Sequence, residues 1–156
     1  MEVMWCTTDR RQHQLPTAAL PIDGVPAAPV SSVRDLGIYI DADLVMRTHV
    51  KKPASRCFAV LHQLRRYVST DTFQPLLVAL VVTRLDYGNA VLTDLPVYLS
   101  RRLQSVLNAA ARLIFGLRRS DHHVSDALIS LHWLHIQQRI VYRGPIGIQK
   151  LMYDFL

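Results

Sequence analysis

The sequence is poor in the residues and patterns from which most covalent and catalytic sites are built. Two cysteines, Cys6 and Cys57, are too few and too ill-spaced for a disulfide framework or a cysteine zinc site. This suits a reducing compartment, and both are expected to be ordinary buried thiols. The six glycines form no phosphate-cradling loop, and no serine, cysteine or histidine has the neighbours that nucleophilic catalysis needs. The longest apolar run, Leu76 to Val82, is far shorter than the roughly 18 residues that cross a bilayer. Glu2 and Asp9 flank a short mixed stretch at Met1 that does not read as a signal peptide. The expectation is a soluble intracellular protein, nuclear or cytoplasmic, with no membrane partner.

Half of the 156 residues are apolar, enough for one domain with a real core and too few for a second of full size. The formal charge is +6, unevenly placed: residues 1–50 hold four Lys/Arg against six acids, and residues 51–156 hold fourteen against six. A surface of that sign attracts polyanions by counterion release, independently of sequence and more weakly as salt rises. Composition alone leaves nucleic-acid binding and mere solvation equally open.

Between Leu15 and Ile40 the pattern is strand-like. Asp23-Gly24 marks a turn between Ala19–Ile22 and Val25, and Pro16, Pro21, Pro26 and Pro29 confine the strands to short or edge positions. Leu36, Ile38 and Ile40 alternate onto one face of a half-buried strand, with Gly37 and Tyr39 on the other. Asp41-Ala42-Asp43 reads as a strand end and helix N-cap rather than a metal-binding carboxylate pair. The period then changes to 3.6. After Pro53, Cys57, Leu61, Leu64 and Val68 share one helical face, and Lys52, Arg56, Gln63 and Arg66 the other.

Asp71-Thr72-Phe73-Gln74 resembles a capping box with Pro75 in the first turn. It opens a helix apolar nearly all round to Leu85, which predicts a place in the middle of a bundle, and Gly88-Asn89 gives the stop signal. Leu99, Leu103, Val106, Ala110 and Leu113 form the next apolar stripe, with Arg101, Ser105, Asn108, Arg112 and Arg119 turned away from it. Ala109-Ala110-Ala111 lets a neighbouring helix come close. Shorter segments follow over 124–133 and 136–142. The expected fold is mainly α: a short N-terminal β hairpin and a bundle of four to five helices.

An ordered series of motifs runs through this pattern: Val33-Arg34-Asp35-Leu36-Gly37-Ile38, Asp41, Leu44, His49-Val50, Arg84-Leu85-Asp86-Tyr87-Gly88-Asn89, Leu95-Pro96, Leu107-Asn108-Ala109-Ala110-Ala111-Arg112-Leu113 and Leu131-His132-Trp133-Leu134. In that order and spacing, from about Glu2 to Val141, the chain resembles the C-terminal part of a LINE-type (non-LTR) retrotransposon reverse transcriptase. The resemblance implies a palm-end and primer-grip β segment over 1–42, a helical thumb-like domain over 43–142, and a divergent tail over 143–156. Leu36 and Gly37 would sit in the primer grip, where a strand turn touches the primer's 3′ end.

The family's aromatic-x-Asp-Asp turn, which holds the catalytic magnesium ions, is not in the sequence. The resemblance therefore implies no polymerase activity for the isolated chain and no cofactor of its own. What it implies instead is sequence-independent binding of an RNA–DNA or DNA duplex, with phosphates gripped by the polar faces of successive helices. The candidate contacts are Lys52, Arg56, Arg66, Arg101, Arg102, Arg112, Arg118 and Arg119, with Arg65 among the remaining arginines. Without a palm, the unpaired hairpin edge is expected to self-associate.

Two features depart from the family: Pro53, at which the first thumb helix must start or bend, and Arg143-Gly144-Pro145-Ile146-Gly147, which interrupts a stretch that is helical in relatives. A rival reading is a structural helical bundle with no nucleic-acid role. A third, weaker one is a zinc site from His122, His123, His132 and His135, which lack a carboxylate or cysteine at a matching offset; Asp121, His122 and Trp133 fall where the family carries similar residues, favouring packing or nucleic-acid contact.

Overall fold

The structure, a computed structural model, describes residues 2–67, 70–118, 120 and 123–143. The chain divides into two compact units, Met1–Val50 and Lys51–Leu156. The fold is mainly helical, with two antiparallel strand pairs followed by helices, as the periodicities predict.

In the first unit a 3-10 turn over Asp9–Gln14 precedes β1 (Leu20–Ile22) and β2 (Val25–Ala27), which form a hairpin around Asp23-Gly24. Both turn residues have positive φ, 49° and 79°, as a type I′ turn requires. The register pairs Pro21 with Pro26. In a hairpin with a two-residue loop this second pair exchanges no backbone bonds, so neither proline's missing N–H is needed.

A second hairpin, β3 (Ser32–Asp35) and β4 (Ile38–Asp41), corrects the strand predicted through Leu36. Leu36 and Gly37 are its two-residue turn, at φ 44° and 85°, and Leu36 is 83% exposed. The alternation misleads because a turn residue two before Ile38 has the same spacing as a strand residue. Gly37 at the second turn position was the signal for the reversal.

After β4 the chain enters α1 (Arg47–Tyr67) through two residues at positive φ, Leu44 and Met46. The buried Asp41 carboxylate accepts from Thr48 N at 2.9 Å, Asp43 Oδ1 accepts from Val45 N at 3.1 Å, and Asp43 Oδ2 lies 2.5 Å from the Arg47 guanidinium. Both aspartates thus secure the helix start, one turn later than an immediate N-cap at Asp43 would put it. The helix neither begins at Pro53 nor ends there. Pro53 lies inside α1, where its nitrogen has no hydrogen to give the His49 carbonyl.

In the second unit α1 buries Ala54, Cys57, Leu61 and Leu64 and exposes Lys52, Arg56, Gln63 and Arg66, as its periodicity requires; Val68 lies outside the described residues. The next helix runs without a break through α2 (Thr70–Leu77), a π turn (Val78–Val82) and α3 (Thr83–Asp86). It is already helical at Thr70, so Pro75 is an interior residue and not part of an opening capping box. Nor is it buried all round: Phe73, Leu77, Val81, Val82 and Leu85 face the core, while Val78 is 38% exposed. The π turn offsets the register by one residue, which makes Val81 and Val82 neighbours in the core.

Gly88 at φ 79° ends the helix, and a 3-10 turn over Asn89–Leu92 leads to α4 (Val97–Ile114). The buried face of α4 is Leu99, Leu103, Val106, Leu107, Ala110 and Ala111. It packs on α2, on α5 (Val124–Ser130) and on α6 (Ile136–Arg143), and the bare surface of Ala110 and Ala111 admits the close approach. Leu77, Val81, Leu99, Val106, Leu107 and Leu128 are the fully enclosed centre of this unit. Arg119, Asp121, His122 and residues 144–156, where Gly144-Pro145 was expected to interrupt a helix, lie outside the described residues.

Candidate nucleic-acid interface

The polar face of α4 opposes its core stripe, and at its C-terminal end the helix is closed by a Schellman-type reversal. Gly116 takes φ 62°, and Leu117 N donates back to Arg112 O at 2.9 Å. The reversal returns Leu117 and Arg118 along the flank of α4. Together with Phe58 and Arg65 of α1 they border a groove of about 1080 Å³.

Among the described residues, four guanidinium groups line this groove: Arg65 from α1, Arg102 and Arg112 from α4, and Arg118 from the segment after it. Among the described residues, no carboxylate lines it. The walls between the arginines include Phe58 and the buried Phe73. Arg102 lies over the Phe58 ring, 5.7 Å from its centroid, a cation–π contact that orients the guanidinium and joins α1 to α4. Arg112 is only half-buried, but its Nε is sealed from solvent and has no hydrogen-bond partner among the described residues.

Of the eight cations expected to contact phosphates, the groove unites Arg102, Arg112 and Arg118. Lys52, Arg56, Arg66 and Arg101 are exposed but do not line it, and Arg66 instead lies 6.0 Å from the Tyr67 ring. Arg119 falls outside the described residues. Arg65 joins the groove although it lies off the helical face that carries Arg56 and Arg66. The direction in which a neighbouring helix closes decides this, and α1's own periodicity contains nothing about it. Leu36 and Gly37 are the tip of the second hairpin in the other unit.

Several other candidate residues have structural duties. Asp86 accepts from Arg139 through both oxygens, Nε to Oδ1 at 2.8 Å and Nη2 to Oδ2 at 2.5 Å. Asn89 Nδ2 lies 3.5 Å from the same Oδ1. Gln104 links Asn108 Oδ1 at 2.8 Å to the backbone N–H of Ile136, also at 2.8 Å, and so caps the start of α6 from α4. Half-buried Trp133 donates its backbone N–H to Leu128 O at 2.9 Å.

His123 contacts Asp126 at 3.3 Å on the surface, and no group of three metal-ligating side chains occurs among the described residues. Cys57 is fully buried, which pushes its thiol pKa up against a smaller opposing pull from Arg84. Cys6, expected to be buried, is exposed. No helix among the described residues is long and apolar enough to cross a membrane.

No protein-family model matches the chain, and comparison with curated proteins and with solved structures finds no match.

Proposed function

We propose that this chain is a thumb and primer-grip fragment of a LINE-type retrotransposon polymerase, and that it binds a template–primer duplex through backbone phosphates while a palm absent from this sequence would perform nucleotide transfer. The observation that carries the reading is the groove that Arg65, Arg102, Arg112 and Arg118 line together. Guanidinium groups gathered around one groove add their positive potentials there, which favours a polyanion over dispersed small ions. Guanidinium groups suit phosphate because their planar donors engage its oxygens in pairs.

The second hairpin supports the same reading. Its turn carries a large exposed apolar residue, Leu36, in a left-handed conformation that leucine seldom adopts, as the tip of an element meant to touch something would. The open edges of both hairpins offer self-association when no palm sheet is present.

The structural-bundle reading draws on the duties of Asp86, Asn89, Gln104 and Asn108, residues in and beside the motifs that tie helices together. Filter binding with an RNA–DNA duplex separates the two. Affinity that falls steeply between about 50 and 200 mM salt supports the thumb reading, and no affinity even at low salt leaves the structural bundle.

A further inference from the structure

Cations are only part of the groove's lining. Ala109 and Leu113 stand one turn apart on α4, Leu117 follows the Gly116 reversal, and Phe58 joins them from α1. All four are half-buried, so each keeps apolar surface open to an occupant, beside the exposed Arg65 and Arg102. Covering that surface is favourable for any ligand with an apolar face to offer.

A duplex does not offer one: its base faces are covered by the next pair in the stack, and it presents sugars, phosphates and base edges outward. An unpaired strand presents base faces and phosphates together, and stacking on aromatic rings or arginine planes holds such strands without reading sequence. Arg102 suits this role. Its guanidinium lies 5.7 Å from the Phe58 ring centroid while the residue remains exposed, so a base laid on it extends the column from ring to guanidinium. An acidic peptide would match the charge, but few of its residues pair an anion with a flat apolar face, as every nucleotide does.

We propose that the groove seats unpaired nucleotides, with base faces against Ala109, Leu113, Leu117 and the Phe58–Arg102 pair and with Arg65 drawing in their phosphates. This rests on the reading of the groove as a nucleic-acid surface. It adds that a single-stranded stretch adjoining the duplex covers the apolar walls. Fluorescence anisotropy of the full chain tests it, with a labelled blunt duplex and the same duplex carrying about six unpaired thymidylates, a length within the usual site size. The overhang complex is expected to be about tenfold tighter. Leu117→Ser should bring the ratio of the two affinities to about one, whereas Ile129→Ser, an exposed apolar position on α5 outside the groove, should leave it at about tenfold. Equal affinity of the two duplexes in the natural sequence, or an unchanged ratio in Leu117→Ser, overturns the proposal.

Should Leu117→Ser lose its native circular dichroism, Ala109→Gln decides, since it keeps a good helix former and puts a polar group on the wall. A lost preference then supports the seat, and a retained one overturns it. Polyglutamate that displaces a bound oligothymidylate as well as unlabelled oligothymidylate of equal charge also overturns it, because charge alone would then fill the groove. Duplex affinity without an overhang preference overturns the seat and leaves the proposed function standing. Binding of the single strand without affinity for the blunt duplex supports the seat and overturns the duplex reading.

Discussion

Asp86 and Arg139 lie 53 residues apart in sequence and meet through two parallel hydrogen bonds, with side chains only 9% and 10% exposed. The pair fastens α6 to the end of α3, next to the Gly88 reversal. Removing one partner strands the other charge in a dry site, which typically costs about 3–5 kcal/mol. Arg139→Met and Asp86→Leu should each lower the urea midpoint accordingly. The double variant should recover most of the loss, since apolar pairs of similar volume replace buried ion pairs at little cost.

Gly116 holds the reversal that brings Arg118 to the groove. A methyl group there would meet no atom within 4 Å, so Gly116→Ala tests backbone conformation alone at φ 62°. Thermal unfolding should show a loss of about 1 kcal/mol. Gly116→Asn, a residue that tolerates the left-handed region, should lose less.

At the tip of the second hairpin the turn and the proposed function pull in opposite directions. Leu36→Asn creates the Asn-Gly sequence that two-residue hairpins favour and should stabilise the protein by about 1 kcal/mol. If the tip contacts nucleic acid, the same substitution weakens duplex binding in filter assays. Stabilisation with unchanged duplex affinity would remove Leu36 from the interface.

Pro53 lies inside α1 and deprives the His49 carbonyl of its helical donor. Pro53→Ala should raise stability by up to about 3 kcal/mol, read as a shift of the denaturant midpoint at constant slope. An unchanged or lowered midpoint would show that the half-buried ring's packing outweighs the missing bond.

The Cys57 thiol is held protonated above its ordinary value of 9.0 by burial. An unfolded thiol ionises first as pH rises, so the contribution is complete below about pH 9 and is lost as pH climbs through the folded value. Stability should therefore decline above pH 9 more steeply in the natural sequence than in Cys57→Ala, although the cavity lowers that variant's baseline. Equal alkaline slopes in guanidinium titrations would contradict the burial account.

The helices were legible because their burial is periodic: the α4 stripe through Leu99, Leu103, Val106 and Ala110 is where the structure buries it. The Asp23-Gly24 hairpin was legible because its turn chemistry is local. Leu36 fits a strand pattern and lies in a turn because a period of two does not distinguish a strand residue from a tight reversal at the same spacing. A start or bend at Pro53 and a first-turn place for Pro75 are what a proline's local penalty predicts, and both residues lie inside helices because that penalty contains nothing of the packing on either side. Arg65's place in the groove and the Asp86–Arg139 pair depend on how distant helices close on one another, and no window of sequence contains that.

If the guanidinium groups of one groove hold a duplex by its phosphates, their number sets how strongly salt weakens binding. The most direct measurement is the slope of log affinity against log salt for a DNA duplex, in the natural sequence and in the triple variant Arg65→Gln, Arg102→Gln, Arg118→Gln. Each phosphate contact contributes about 0.9 to that slope, so the variant should be shallower by roughly 3 and weaker at every salt concentration. Parallel lines of equal affinity would mean that these arginines do not hold the duplex.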